Sequence, residues 1–142
     1  MTTYQTFYVS GKGNDTNDGR TPATSLRTLE AAQRVLSDNC ELLLEGGFHY
    51  IGHLELDGLR NVRLGRYGFG IPILDTGDAC GITVRHCQNV LLANIKLIGR
   101  GWNCCNQTTG VSIRLSECVT VKNFEITGYH IAGITIVSCR DT

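Results

Sequence analysis

The chain has 142 residues, 42% of them hydrophobic and 18% charged, with 13 Lys+Arg against 13 Asp+Glu. This length suits one domain or a piece of a larger one, and the hydrophobic fraction is enough for a core. The charge balance leaves no electrostatic footprint for nucleic acid, and apolar runs such as 90–93 are far too short to span a membrane, so neither is expected as a partner.

The first residues, MTTYQTFYVSGKG, contain no basic stretch followed by an apolar one. No signal peptide is visible, which places these residues in the cytoplasm, or outside the cell if a leader was removed. Next comes GNDTNDG at 13–19. Asn14, Thr16, Asp18 and Gly19 match the start of an EF-hand loop, but its twelfth position falls on Ser25, where Glu is needed. The stretch is read as a turn. From 26 to 36, Leu29, Ala32, Val35 and Leu36 lie on one helical face. Ser25 or Thr28 can cap this helix, and the Ser-Asp-Asn at 37–39 ends it.

Everything beyond reads as short strands broken by Gly, Asn and Asp: 42–44, 54–56, 62–64, 71–74, 82–84, 90–92, 95–97, 111–113, 119–121, 124–126 and 134–137. Two segments repeat, GITVRHCQNVLLANIKLIG at 81–99 and GVSIRLSECVTVKNFEITG at 110–128. They share five identities in 19 positions without a gap: Gly81/Gly110, Arg85/Arg114, Val90/Val119, Asn94/Asn123 and Gly99/Gly128. Average composition predicts roughly one. A third copy opens at Gly133 with GITIVSC, which sets Cys139 in register with Cys87.

A hairpin inside a copy is disfavoured, because only Ala93-Asn94 separates the second and third strands. The remaining arrangement is a coil whose strands pair with their equivalents one repeat away, about 4.8 Å apart. Alternation then buries Ile82, Val84, Val90, Leu92, Ile95 and Leu97 and turns Thr83, Leu91 and Lys96 outward, with Lys96 beside Glu125. Asn94 should stack on Asn123, because Asn tolerates a left-handed corner and its amide can bond the Asn above it.

The seven cysteines, Cys40, Cys80, Cys87, Cys104, Cys105, Cys118 and Cys139, form an odd set without CxxC spacing. Reduced thiols fit better than a disulfide framework, and no metal site is expected. The adjacent Cys104-Cys105 is either a redox or metal device or a pair of ordinary thiols.

Three features together resemble the right-handed parallel β-helix superfamily, the pectate lyase-like fold. They are the opening FYVSGKGNDTNDGRTPATSLRTLEAAQ, the coil LLLEGGFHYIGHLEL with the corner RYGFGIPILD, and the repeat with Asn at its tight turn. The resemblance implies an all-β right-handed solenoid with one N-terminal capping helix. Residues 1–40 would be the cap, and 41–142 about three and a half coils that stop inside a coil, as in a fragment. Further coils or a homo-oligomer would then cover the open C-terminal end. It also implies polysaccharide or oligosaccharide as partner and a lyase or glycoside hydrolase as the activity, with calcium as a family cofactor that no residue here calls for. The rival is a non-catalytic binding or structural module, as in a phage tailspike.

Candidate site residues are sparse, and no catalytic residue is assigned. Asp75 and Asp78 could pair on an edge, or serve as turn acids beside Gly. Lys96 could be a base or plain solvated charge, and His86 and His130 lack a partner at any motif spacing. Stacked Arg85 and Arg114 need a carboxylate, turn carbonyls or an anionic ligand such as a uronate to offset them. Trp102, the single Trp, lies in the long interruption RGWNCCNQTTG and could stack on a sugar or pack back onto the coil.

Overall fold

The computed structural model describes residues 3–101 and 108–142. Trp102, Cys104 and Cys105 lie outside the described residues. The chain opens with β1, Gln5–Val9. The Gly/Asn/Asp turn follows, then a 3-10 turn at Pro22–Thr24 and α1, Leu29–Val35. The polar side chains of the turn accept backbone N–H groups inside it, just after it and at the start of α1. Asn14 Oδ1 accepts the Thr16 N–H at 2.9 Å, and Asp18 Oδ1 accepts the Arg20 N–H at 3.0 Å. Asp15 Oδ1 accepts the N–H groups of Arg27 and Thr28 at 2.8 and 3.0 Å. This is the turn expected of the stretch.

Thr28 caps α1, its hydroxyl accepting the Ala31 N–H at 3.2 Å. The helix starts three residues later than the apolar spacing suggests. Leu26 is already committed to β1: its N–H donates to the Tyr8 carbonyl at 2.9 Å and its carbonyl accepts the Ser10 N–H at 2.8 Å.

Four turns of three strands follow. The first is β2 (Cys40–Glu45), β3 (His49–Ile51) and β4 (Leu54–Asp57). The second is β5 (Arg60–Tyr67), β6 (Ile73–Gly77) and β7 (Ile82–Arg85). The third is β8 (Gln88–Ala93), β9 (Lys96–Gly99) and β10 (Thr109–Arg114). The last is β11 (Glu117–Lys122), β12 (Glu125–Thr127) and β13 (Ala132–Val137). Each strand pairs in parallel with its equivalent in the next turn, giving three sheets: β1-β2-β5-β8-β11, β3-β6-β9-β12 and β4-β7-β10-β13. The register follows the repeat: Ile82 meets Val111, Val90 meets Val119 and Lys96 meets Glu125.

One core runs down the tube. Ile82, Val84, Val90, Leu92, Ile95 and Leu97 are all at most 1% exposed. Each fully buried Leu or Ile contributes about 1.5–3 kcal/mol. At the N-terminal end Leu29, Ala31 and Ala32 of α1 join Phe7, Val9 and Leu26 in that core and plug it. At the other end Ile134 and Ile136 are 41% and 53% exposed, although their register partners Val111 and Ile113 are fully buried.

Asn side chains mark two corner lines. Asn123 Nδ2 donates to Asn94 Oδ1 at 3.2 Å, with φ of +54° and +60°. A second ladder, not anticipated above, runs Asn39–Asn61–Asn89, with Nδ2–Oδ1 distances of 2.8 and 2.7 Å. Between the third and first sheets the thiol of Cys87 donates to the Arg85 carbonyl at 3.2 Å, the hydroxyl of Ser116 to the Arg114 carbonyl at 2.8 Å, and the thiol of Cys139 to the Val137 carbonyl at 3.3 Å. Burial pushes the Cys87 thiol above its ordinary pKa, in keeping with a structural thiol.

Candidate functional site

The third sheet turns a polar face outward. Strand alternation buries Leu54, Leu56, Ile82, Val84, Val111 and Ile113. It therefore projects their neighbours to the other side. Glu55, Thr83, Ser112 and Thr135 fall in one register column, and Asp57, Arg85, Arg114 and Val137 in the next. The corner after the second column carries Gly58, His86, Leu115 and Ser138, all at positive φ.

Asp57 is the hub of this edge. Its Oδ2 accepts from Arg85 Nη2 at 3.0 Å, and its Oδ1 lies 3.2 Å from His86 Nδ1. The hydrogen bond with His86, then that from Arg85, holds the Asp57 carboxyl below the usual carboxylate range. With the folded value depressed, the pairing operates at ordinary pH and is lost as pH falls through that lowered value. In a carbon-detected NMR titration Asp57 is expected to titrate below 3.8, and His86→Ala to move its midpoint upward. A wild-type midpoint at or above 3.8 refutes the arrangement.

Arg85 and Arg114 stand in register, as the repeat requires. The group that offsets Arg85 is a carboxylate, Asp57, rather than a turn carbonyl. Among the described residues Arg114 makes no ion pair. Arg85, His86, Arg114, Leu115, Val137 and Ser138 line an outward cleft of about 320 Å³.

The other candidates sit apart from this edge. Lys96 Nζ lies 3.0 Å from Glu125 Oε1, a partly exposed pair worth at most about 1 kcal/mol. Asp78 Oδ2 receives Arg100 Nη1 at 2.6 Å, and Asp75 accepts the Gly77 N–H at 3.3 Å, a turn role. His130 is exposed. Among the described residues no group of three His, Cys, Asp or Glu gathers as for a metal ion.

Sequence reasoning passed over Asp57, because LELDGL reads as a strand ending in an Asp-Gly turn. The signal that finds it is the coil offset. Laying Leu54 and Leu56 on Ile82 and Val84 puts Asp57 on Arg85.

Stacked parallel turns, a single inward core and left-handed Asn corners define a parallel β-helix. Among solved structures the chain is similar to a GH136 lacto-N-biosidase from Eubacterium ramulus. Its selenomethionine derivative superposes at a TM-score of 0.75 and 21% identity, over 86% of this chain and 27% of that one. The native crystal gives 0.75 and 20%, over 85% and 26%. A rhamnogalacturonan lyase gives 0.47 at 20% identity, over 82% and 32%. No family model and no curated protein matches the chain. The chain thus spans about a quarter of the lacto-N-biosidase's length.

Proposed function

We propose that the chain is the capped N-terminal part of a carbohydrate-active β-helix protein that binds polysaccharide or oligosaccharide on the outward face of its third sheet. The observation that carries this is the face itself. Two columns, from Glu55 and Asp57 onward and polar except for Val137 at the end of the second, run across successive turns of a fold shared with a lacto-N-biosidase. Hydroxyl and charged groups at the strand repeat of about 4.8 Å suit the repeated hydroxyls of a sugar chain. Elimination or glycoside hydrolysis would then fall to residues outside these 142.

A second reading, a non-catalytic binding or structural module, is favoured by the ion pairs. Asp57, Lys96 and Asp78 are each engaged by an opposite charge rather than standing free to move a proton.

The test is NMR titration with a panel of neutral and acidic oligosaccharides, alongside assays for unsaturated uronates and new reducing ends. Shifts centred on Thr83, Arg85, Ser112 and Arg114 are expected. Product formation makes the chain an enzyme by itself, and shifts without product favour the binding module. A panel that perturbs nothing on this face refutes the carbohydrate reading.

A further inference from the structure

We infer that the uncovered edge of β3, in the trough between β3 and α1, takes one extended peptide strand of a partner protein, with an acidic residue at the Arg27 end, a basic residue at the Glu55 end and an apolar residue between them. The trough belongs to the second sheet and the cap, so the inference is independent of the carbohydrate reading. Three observations converge on it.

The first is the backbone. β3 is the last strand of its sheet and pairs only with β6. On that side the Phe48 carbonyl accepts the Ile73 N–H at 3.1 Å, and the Gly52 N–H donates to the Asp75 carbonyl at 3.0 Å. Alternation along a parallel ladder then turns the N–H and C=O of His49 and Ile51 toward the opposite edge. The cap treats the neighbouring edges differently. At β1, Tyr8 donates to the Gly19 carbonyl at 2.7 Å and accepts from the Leu26 N–H at 2.9 Å. At β4, the Gln33 amide acts as a strand would: its Oε1 accepts the Glu55 N–H at 2.8 Å and its Nε2 donates to the Glu55 carbonyl at 2.7 Å. Among the described residues no such bond reaches His49 or Ile51 from the cap. An open edge of this kind is a template for an added strand.

The second is shape. Two clefts of about 360 and 320 Å³ adjoin along β3 and share Leu29 and Ile51. Leu29 is buried, whereas Ile51 is 84% exposed. The pair offers an apolar side chain of the incoming strand a surface to cover, at the point where the two clefts meet.

The third is charge. Arg27 lines the first cleft together with Phe48, and Lys12 Nζ stands 5.9 Å over the Phe48 ring. Glu30 and Glu55 line the second. Arg27 and Glu30 make no ion pair among the described residues, and Glu55 has only His53, at 3.6 Å. A trough positive at one end and negative at the other selects a strand charged in the complementary sense.

The experiment is NMR titration of the 142-residue chain with three end-blocked peptides, Glu-Thr-Val-Thr-Lys, Lys-Thr-Val-Thr-Glu and Gln-Thr-Val-Thr-Gln, with thermal melts of each variant. Alternation puts both charges and the Val of the first two on one face of the added strand. At least one charged peptide is expected to shift the His49 and Ile51 amides and to slow their hydrogen exchange at least tenfold at saturation. The tighter of the two gives the strand direction, parallel for Glu first and antiparallel for Lys first. The Gln peptide is expected to bind at least fivefold more weakly. Ile51→Pro removes an edge N–H and no bond to β6, and is expected to abolish binding without a large change in melting temperature. Arg27→Glu is expected to weaken the charged peptide at least fivefold and to gain affinity for Lys-Thr-Val-Thr-Lys, a rescue that misfolding cannot produce. Shifts that miss β3, equal binding of the Gln peptide, or an Arg27→Glu variant that is neither weakened nor rescued overturns the inference.

Discussion

Gly99→Ala is expected to destabilise the protein by about 3 kcal/mol, measured by urea unfolding, because a methyl group has nowhere to go between two turns. A Cβ at Gly99 would sit 2.4 Å from the carbonyl oxygen of Gly128 in the next turn and 3.0 Å from its carbonyl carbon. Those atoms are backbone. They can retreat only if the turns move apart, which lengthens the ladder bonds on either side. Gly58→Ala isolates the other cost that glycine spares. Gly58 has φ of +70° with nothing within 4 Å of its missing Cβ, so only the left-handed backbone is taxed, at about 1 kcal/mol. If the two variants cost the same, close approach of the turns is not what fixes Gly99.

Asn61→Ala is expected to cost about 2 kcal/mol, more than either end rung of its ladder. Asn61 is the middle member: it donates to Asn39 at 2.8 Å and accepts from Asn89 at 2.7 Å. Each of these surface bonds contributes about 0.5 kcal/mol, the low end for a net hydrogen bond. The remaining 1 kcal/mol or so comes from forcing Ala into the φ of +55° that Asn tolerates. Asn61→Gly separates the parts, since Gly restores the backbone and not the amide, and should recover roughly half. The double variant with Asn89→Ala should cost less than the sum, because the two share one bond. Strict additivity would show that the amides do not act as a ladder.

Legibility differed among the elements. The 81–99 and 110–128 repeat disclosed strand positions, inward residues, the Asn94–Asn123 rung and the Lys96–Glu125 pair, because a gapless offset is also the stacking register. The other ladder escaped. Its rungs are 22 and 28 residues apart, and the next position at that corner is Cys118, also at positive φ. The helix start escaped because Leu26 fits both a helical face and a backbone bridge to Val9, and only the position of β1 selects the bridge.

By itself the sequence determined what is local and periodic: the apolar alternation that makes the tube, the glycines and asparagines that turn its corners, and the apolar helical face that plugs one end. Those properties belong to single residues and nearest neighbours along the chain. Only the tertiary structure decided which charges meet. Asp57 lies 28 residues from Arg85 and 29 from His86, and because the offset between turns varies, being 22 from Asn39 to Asn61, only strand pairing shows which offset applies here. Strand pairing fixes that register, and with it one paired arginine, one unpaired arginine and the cleft between them.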